Sequence, residues 1–146
     1  MRFEKGESFI EIVLEGARVH LARGSRALTD ADVRTYVFDG DERAARESFD
    51  ERVAEITRNG YARVGEESPT ITSYVAKRDA DRAQKDAQTL LARMRGRSRA
   101  DVVAEARDIL DRWNAALALL DDMTASSLGS VNDDRIAQLE EIVRGG

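Results

Sequence analysis

Four arginines in the first part of the chain have a spacing that could support phosphate binding. A guanidinium group is permanently charged, and its planar fork of N–H donors pairs with phosphate oxygens in bidentate fashion. Together these side chains could form a basic strip that contacts nucleic acid, although Asp30 and Asp32 in the same segment would weaken it. The alternative is a solvated strand edge whose charges discourage aggregation. The four residues are Arg18, Arg23, Arg26 and Arg34.

A second group of arginines surrounds a predicted turn between two helices. Such a cluster could clamp a phosphate group or an acidic partner, because each guanidinium offers paired donors. Equally, cations near the end of a helix interact favourably with its dipole and with its last carbonyl groups, which requires no ligand. The members of this group are Arg93, Arg95, Arg97 and Arg99.

The sequence offers few residues for catalysis or metal binding. It has no cysteine, and its single histidine, His20, alternates with Val19 and Leu21 on a predicted strand, where a solvent-facing or hydrogen-bonded role is expected. The acidic pairs at positions 121–122 and 133–134 lack the glycine and glutamate spacing of a calcium-binding loop. We therefore expect no catalytic residues, no metal and no cofactor, in a protein that is not an enzyme.

The composition is that of a soluble globular protein with an acidic balance. The 146 residues are 42% hydrophobic and 35% charged, with a net charge of −5. Residues 1–66 hold 11 Lys and Arg against 14 Asp and Glu, and residues 67–146 hold 12 against 14. Neither half is basic, so any contact with nucleic acid must use a local patch. No apolar run approaches the roughly 20 residues that cross a bilayer, and no apolar signal core is present, so we expect no membrane association and a cytoplasmic location.

The first part of the chain is predicted to form antiparallel strands. Two apolar runs, residues 9–14 and 19–21, alternate as strands. Gly16 between them can take the positive φ that a tight hairpin requires. The polar residues 23–32 predict a loop, and the alternating residues 33–38 predict a further strand.

One helix is predicted to cover a face of this sheet. Asp39, followed three residues later by Glu42, favours a capping-box start, and Gly60 favours a left-handed stop. Residues 61–64 then return as a closing strand, and residues 2–4 add a short edge strand. The pattern predicts an α+β fold, with an antiparallel sheet of four or five strands and one packed helix.

A change in periodicity divides the chain into two predicted domains, residues 1–66 and residues 67–146. The second is predicted to be helical, and Ser68 before a proline marks the start of its first helix. A coiled-coil-like helical hairpin is expected, followed by a loop at residues 126–129 and a short third helix from about Asp133. The seam of the first helix is mainly alanine, at Ala76, Ala80, Ala83, Ala87, Leu90 and Met94.

The second predicted helix, capped by Ser98, has a wide apolar face. That face exceeds what an alanine seam can cover, so it could also bind a second copy of the chain or another protein through Trp113, Leu117 and Leu120. Packing within the chain is the alternative. A tryptophan at such a position is more typical of a core than of a site that stacks on a ligand.

The order and spacing of these elements resemble those of a WGR domain over about residues 2–65. WGR domains are nucleic-acid-associated modules of a β-sheet and a helix, found in certain poly(ADP-ribose) polymerases and in many short bacterial proteins. The matching landmarks are the apolar run closed by Glu15 and Gly16, the strand into Gly24, the strand ending at Phe38, the helix with Phe49 and Val53, and the terminal Gly60 and Tyr61.

The resemblance implies a binding role. In the family, the tryptophan and arginine of a Trp-Gly-Arg signature help to contact the nucleic-acid backbone or terminus, and the module is not catalytic. The corresponding residues here are Arg23, Gly24 and Ser25. Arg23 could pair with phosphate or stack through its guanidinium plane, whereas Ser25 cannot neutralise a phosphate.

Two functions are therefore expected from the sequence. The first is a non-enzymatic WGR-like binding module that contacts nucleic acid or its termini through loop arginines. The second is a scaffold for protein interaction or oligomerisation that uses the helical tail and binds no nucleic acid.

Overall fold

The structure is a computed structural model of the chain. It describes residues 1–27, 31–120 and 122–145, without the side chains of residues 122–133. The chain divides into two compact units, Met1–Tyr74 and Val75–Gly146. The elements in chain order are β1 (Arg2–Lys5), β2 (Ser8–Glu15), β3 (Arg18–Ser25), β4 (Ala31–Val37), α1 (Glu42–Arg58), β5 (Ala62–Gly65), α2 (Pro69–Arg93), α3 (Arg99–Ala118) and α4 (Asp122–Gly145).

The first unit contains a five-stranded antiparallel sheet and helix α1, which confirms the predicted α+β class. The strand order is β4-β3-β2-β1-β5. Gly16, with a φ of +57°, forms the predicted turn between β2 and β3. Helix α1 packs on one face of the sheet, where Ile12 and Val19 share a core with Ala45 and Ile56 of the helix. The apolar alternation of the central strands thus determines which face the helix covers.

Strand β1 lies in the interior of the sheet, so the predicted edge position of residues 2–4 is wrong. The chain that leaves α1 returns beside β1, and β5 pairs with it through Phe3 opposite Arg63 and Glu4 opposite Ala62. A strand of only four residues gains backbone hydrogen bonds on both sides in this way. Strands β4 and β5 form the edges instead.

The predicted loop at residues 23–32 is shorter than expected, because β3 continues to Ser25 and β4 begins at Ala31. Pairing of β2 with β3 extends to Ser8 opposite Ser25, with Phe9 opposite Gly24. The ring of Phe9 packs against Gly24, where an added Cβ would lie 2.8 Å from the ring. The polar residues here occupy exposed positions of strands, which composition alone does not distinguish from a loop.

Helix α1 is capped by Asp41, so the predicted capping role of Asp39 is wrong. The Asp41 carboxylate accepts a hydrogen bond from the Ala44 N–H at 3.0 Å. Asp39 instead has a φ of +48° and Gly40 a φ of +85°, so both belong to the turn that precedes the helix. Gly60, with a φ of +89°, ends the helix as predicted.

A buried carboxylate on the sheet holds the first turn of α2. Glu11 of β2 is fully buried, and its two oxygens accept hydrogen bonds from the Arg2 guanidinium at 2.6 Å and from the Ile71 N–H at 3.0 Å. Ser68 precedes α2 as predicted, but its hydroxyl bonds to the amine and carbonyl of Met1 rather than to the helix. Glu11 therefore supplies the acceptor that an N-cap side chain would normally provide.

This cap explains where the first unit ends. Because Ile71 is buried and hydrogen-bonded to the sheet, the first turn of α2 belongs to the unit Met1–Tyr74. The sequence places the change of domain at residue 66, where the periodicity changes. The change in periodicity indicates where α2 begins, whereas the packing of the first turn of α2 determines where the first unit ends.

The second unit packs three helices around an apolar core. Leu90 of α2, Ile109 and Trp113 of α3, and Ile136 and Leu139 of α4 belong to one buried cluster. Ser98 caps α3 as predicted by accepting a hydrogen bond from the Asp101 N–H at 3.2 Å. The predicted alanine seam of α2 is buried at Ala76, Ala80, Ala83 and Ala87.

Helix α4 is longer than predicted. It begins at Asp122 rather than near Asp133, and it includes residues 126–129, which were expected to form a loop. Serine and glycine have low helix propensity, but each costs only about 1 kcal/mol or less relative to alanine, which tertiary packing readily overrides. The expectation of a short third helix is therefore wrong.

We predict that Glu11→Ala lowers the free energy of unfolding by about 2–3 kcal/mol, because it leaves the Ile71 N–H without its acceptor and removes the closer of the two carboxylates that pair with Arg2, the other being Glu4 at 3.4 Å. Urea unfolding followed by circular dichroism measures the change. Glu11→Gln retains an acceptor and should cost less. Glu47→Ala is the matched control, because Glu47 pairs with Arg43 on the exposed surface of α1. Equal stability of the Glu11→Ala and Glu47→Ala variants would contradict the proposed anchoring.

Candidate functional site

Two of the four arginines predicted to bind nucleic acid meet at one groove on the sheet. The register places Arg23 opposite Asp32, and Leu21 opposite Arg34, on the same face of β3 and β4. These residues and Tyr36 line a groove of about 200 Å³. The strands therefore position two guanidinium groups beside an aromatic ring and an apolar floor.

The groove carries more positive than negative charge. Arg34 donates a hydrogen bond to Asp32 at 3.0 Å, and this bond raises the pKa of the Arg34 guanidinium above its usual value. Arg23 is exposed and has no ion-pair partner among the residues that the structure describes. The guanidinium carbon of Arg52 lies 3.9 Å from the centre of the Tyr36 ring. The groove is thus lined by two arginines and one aspartate, and Arg52 adds a further cation over its tyrosine ring.

The structure places the other two arginines of the predicted strip elsewhere. Arg18 lies opposite Val37 on the face that points away from α1. Arg26 donates a hydrogen bond to the Gly6 carbonyl at 2.7 Å and lies 3.6 Å from the carboxylate of Glu4. The continuous strip of four arginines is therefore not formed, and the structure brings together Arg23 and Arg34 alone.

Sequence reasoning missed Tyr36 and Arg52. The alternation of β4 could have indicated Tyr36, because it lies two residues after Arg34 and therefore on the same face. Arg52 comes from α1, and only the packing of that helix brings it to the ring. No local signal in the sequence predicts this contact.

The Arg23, Gly24 and Ser25 triplet forms the end of β3. Arg23 points to the groove, whereas Gly24 lies on the opposite face against the ring of Phe9. The Ser25 hydroxyl accepts a hydrogen bond from the Ala27 N–H at 3.3 Å. Each residue thus has a distinct role, and only Arg23 presents charge to the groove.

His20 is buried and hydrogen-bonded, which is one of the two roles expected for it. Its Nδ1 lies 2.9 Å from the Thr35 hydroxyl and its Nε2 lies 3.2 Å from a carboxylate oxygen of Glu15. Among the described residues no group of three or more His, Asp or Glu side chains could hold a metal ion. The acidic pairs at 121–122 and 133–134 lie wholly or partly outside the described side chains, as does Asp30.

Three of the four arginines around the helix turn line a second pocket. Arg95, Arg97 and Arg99 surround a space of about 480 Å³ in the helical unit. Arg93 lies in the last turn of α2, where its charge favours the helix dipole, and it does not line this pocket. Met94, predicted to belong to the buried seam, lines the pocket and is 39% exposed.

The residues predicted to form an interaction surface are largely internal. Trp113 is only 3% exposed and belongs to the core of the helical unit. Leu117 packs against that core, and Leu120 is half-buried. The structure therefore gives Trp113 a packing role, and the tryptophan presents no open face to a ligand or to a second copy.

In comparisons with known protein families, curated proteins and solved structures, nothing matches the chain. Within the described ranges, no helix has the length and apolar character needed to cross a membrane.

We predict that Gly24→Ala lowers the free energy of unfolding by about 1–2 kcal/mol, because the new Cβ would collide with the Phe9 ring. That ring is buried and lies under the Arg2 guanidinium at 4.2 Å, which restricts its movement. Gly65→Ala is the matched control in a strand, since a Cβ added at Gly65 would lie 4.0 Å from its nearest neighbour, the backbone nitrogen of Glu67. Thermal unfolding of the two variants compares them. A loss in Gly24→Ala no larger than in Gly65→Ala would show that the site tolerates a side chain.

Proposed function

We propose that the protein is a non-enzymatic binding module whose sheet contacts the phosphate groups of a nucleic-acid backbone or terminus. The observation that carries the proposal is the placement of Arg23 and Arg34 on one face of neighbouring strands, at a common groove. The resemblance to WGR domains points in the same direction and remains part of the proposal. The proposed location is the cytoplasm.

The spacing of the two guanidinium groups suits this role. Arg34 is the diagonal neighbour of Arg23 across the strand pair, because Arg23 lies directly opposite Asp32. Diagonal positions are about 7–8 Å apart, within reach of long side chains. Two such forks can therefore hold a single phosphate group from two sides or contact successive phosphates.

Asp32 and Tyr36 position the guanidinium groups of Arg34 and Arg52. The hydrogen bond to Asp32 restricts the Arg34 side chain, so less conformational freedom is lost when a phosphate binds. The Asp32 carboxylate also offsets part of the positive charge of the groove. Arg52 stacks on the Tyr36 ring, and a guanidinium held in this way retains N–H donors at its edge.

The net charge of the chain limits how many phosphate groups of a nucleic acid the protein can contact. With a charge of −5, the protein as a whole repels a polyanion, so attraction is confined to the groove. A short contact with few phosphates fits this balance better than a long electrostatic footprint. The alternative function, a scaffold that uses the helical tail, has less support because Trp113 is buried in the core.

A titration with fluorescent duplex DNA, with and without a 5′-phosphate, tests the proposal. At low salt we expect saturable binding, weakened about tenfold by Arg23→Gln or Arg34→Gln. When the logarithm of the binding constant is plotted against that of the salt concentration, one phosphate held by both guanidinium groups predicts a slope of about −1. Contacts with two successive phosphates would instead give a slope of about −2, reduced in magnitude by about 1 in each variant. Tighter binding of the 5′-phosphorylated duplex would identify a terminus as the target.

Arg43→Gln is the control for a general loss of positive charge, since Arg43 lies on the exposed surface of α1 and pairs with Glu47. It should bind DNA like the unmodified protein, and all three variants should retain the original unfolding midpoint. Absence of binding at low salt, or an equal loss in Arg43→Gln, would overturn the proposed function.

A further inference from the structure

The pocket in the helical unit combines an apolar wall with a cationic rim. Its apolar lining comes from Leu91 and Met94 at the end of α2, Val102 and Val103 in α3, and Ile142 in α4. Its volume of about 480 Å³ is within the range of small-molecule sites. Met94 is 39% exposed, which leaves apolar surface that a ligand could cover.

The three arginines of the rim are only partly neutralised. Arg97 forms an ion pair with Glu105 at 2.6 Å. Arg99 donates a hydrogen bond to the backbone carbonyl of Gly145, which is neutral, and its guanidinium has no carboxylate partner among the side chains that the structure describes. Arg95 has no ion-pair partner in the part of the chain that the structure describes. The rim therefore carries an excess of positive charge directly beside an apolar surface.

The first turn of α3 adds to the positive electrostatic potential at the rim. Arg99 and Val102 lie within that turn, so the pocket adjoins the positive end of the helix dipole. Asp101 is in the same turn but is exposed and does not line the pocket. The arrangement favours a ligand with one anionic end and one apolar end.

We propose that this pocket binds a free fatty carboxylate, with the acyl chain against the apolar wall and the carboxylate paired with Arg95 and Arg99. A phosphate ion would leave the apolar wall in water, and a neutral hydrocarbon would leave the rim without a counter-charge. Only an amphiphilic anion satisfies both surfaces. The net charge of −5 opposes association with an anionic bilayer, so a free amphiphile is favoured over a membrane lipid.

This proposal does not depend on the phosphate-binding groove, because the two sites share no residue and lie in different units. Arg23→Gln should leave fatty-carboxylate binding unchanged. The failure of one proposal is therefore distinguishable from the failure of the other.

Isothermal titration of the full chain with dodecanoate, below its micelle concentration, tests the pocket. We expect saturable binding of one dodecanoate per chain and at least about tenfold weaker binding of dodecanol, which lacks the charge. Sedimentation with phosphatidylglycerol vesicles should leave the protein in the supernatant. Absence of saturable dodecanoate binding, equal affinity for dodecanol, or co-sedimentation with the vesicles would each overturn the proposal.

Variants locate the binding within the chain. Arg95→Gln should weaken dodecanoate binding about tenfold, and Val103→Asp should weaken it further by placing a carboxylate in the apolar wall. Arg107→Gln is the control, because Arg107 is exposed on α3 and does not line the pocket. Circular dichroism checks that each variant is folded. Unchanged affinity in folded Arg95→Gln, or an equal loss in Arg107→Gln, would contradict the assignment.

Discussion

The first unit depends on the hydrogen bonds of one buried carboxylate, that of Glu11. A charge removed from water is tolerated only when it is paired and hydrogen-bonded, and Glu11 satisfies this condition with the Arg2 guanidinium and the Ile71 N–H. These contacts join strands β1 and β2 to the first turn of α2. A shift of β2 by one residue would turn Glu11 to the other face, so the same contacts favour a single register of the sheet.

That register also determines which side chains lie on the face opposite Glu11, which is the face that packs against α1. With β2 and β3 paired as observed, Gly24 lies against Phe9, and the next residue back along the strand, Arg23, must point to the face that carries α1. The pairing of β3 with β4 then places Arg34 beside it. The candidate site is thus a consequence of strand alternation, and the arginines need no special loop conformation to meet. The helical unit reaches its own arginine cluster differently, through the short turn between α2 and α3.

Much of the fold is predictable because its signals are local. The turn at Gly16, the helix stop at Gly60 and the cap at Ser98 each depend on a few neighbouring residues. The features that the sequence does not predict correctly depend on residues that are distant along the chain. Glu11 caps a helix that begins 58 residues later, β1 becomes interior only when β5 returns, and the ion pairs of Arg26 depend on the neighbouring hairpin. Charge and spacing therefore identified the arginines, whereas only the tertiary structure decides which of them face a common groove.

The central functional claim is that Arg23 and Arg34 act as one site. A double-mutant cycle on DNA affinity, with Arg23→Gln, Arg34→Gln and the double variant, measures this directly. If both guanidinium groups hold the same phosphate, the double variant should lose roughly fivefold less affinity than the product of the two single losses. Losses that multiply without coupling would show that the two arginines act independently, and this result would contradict a shared phosphate site.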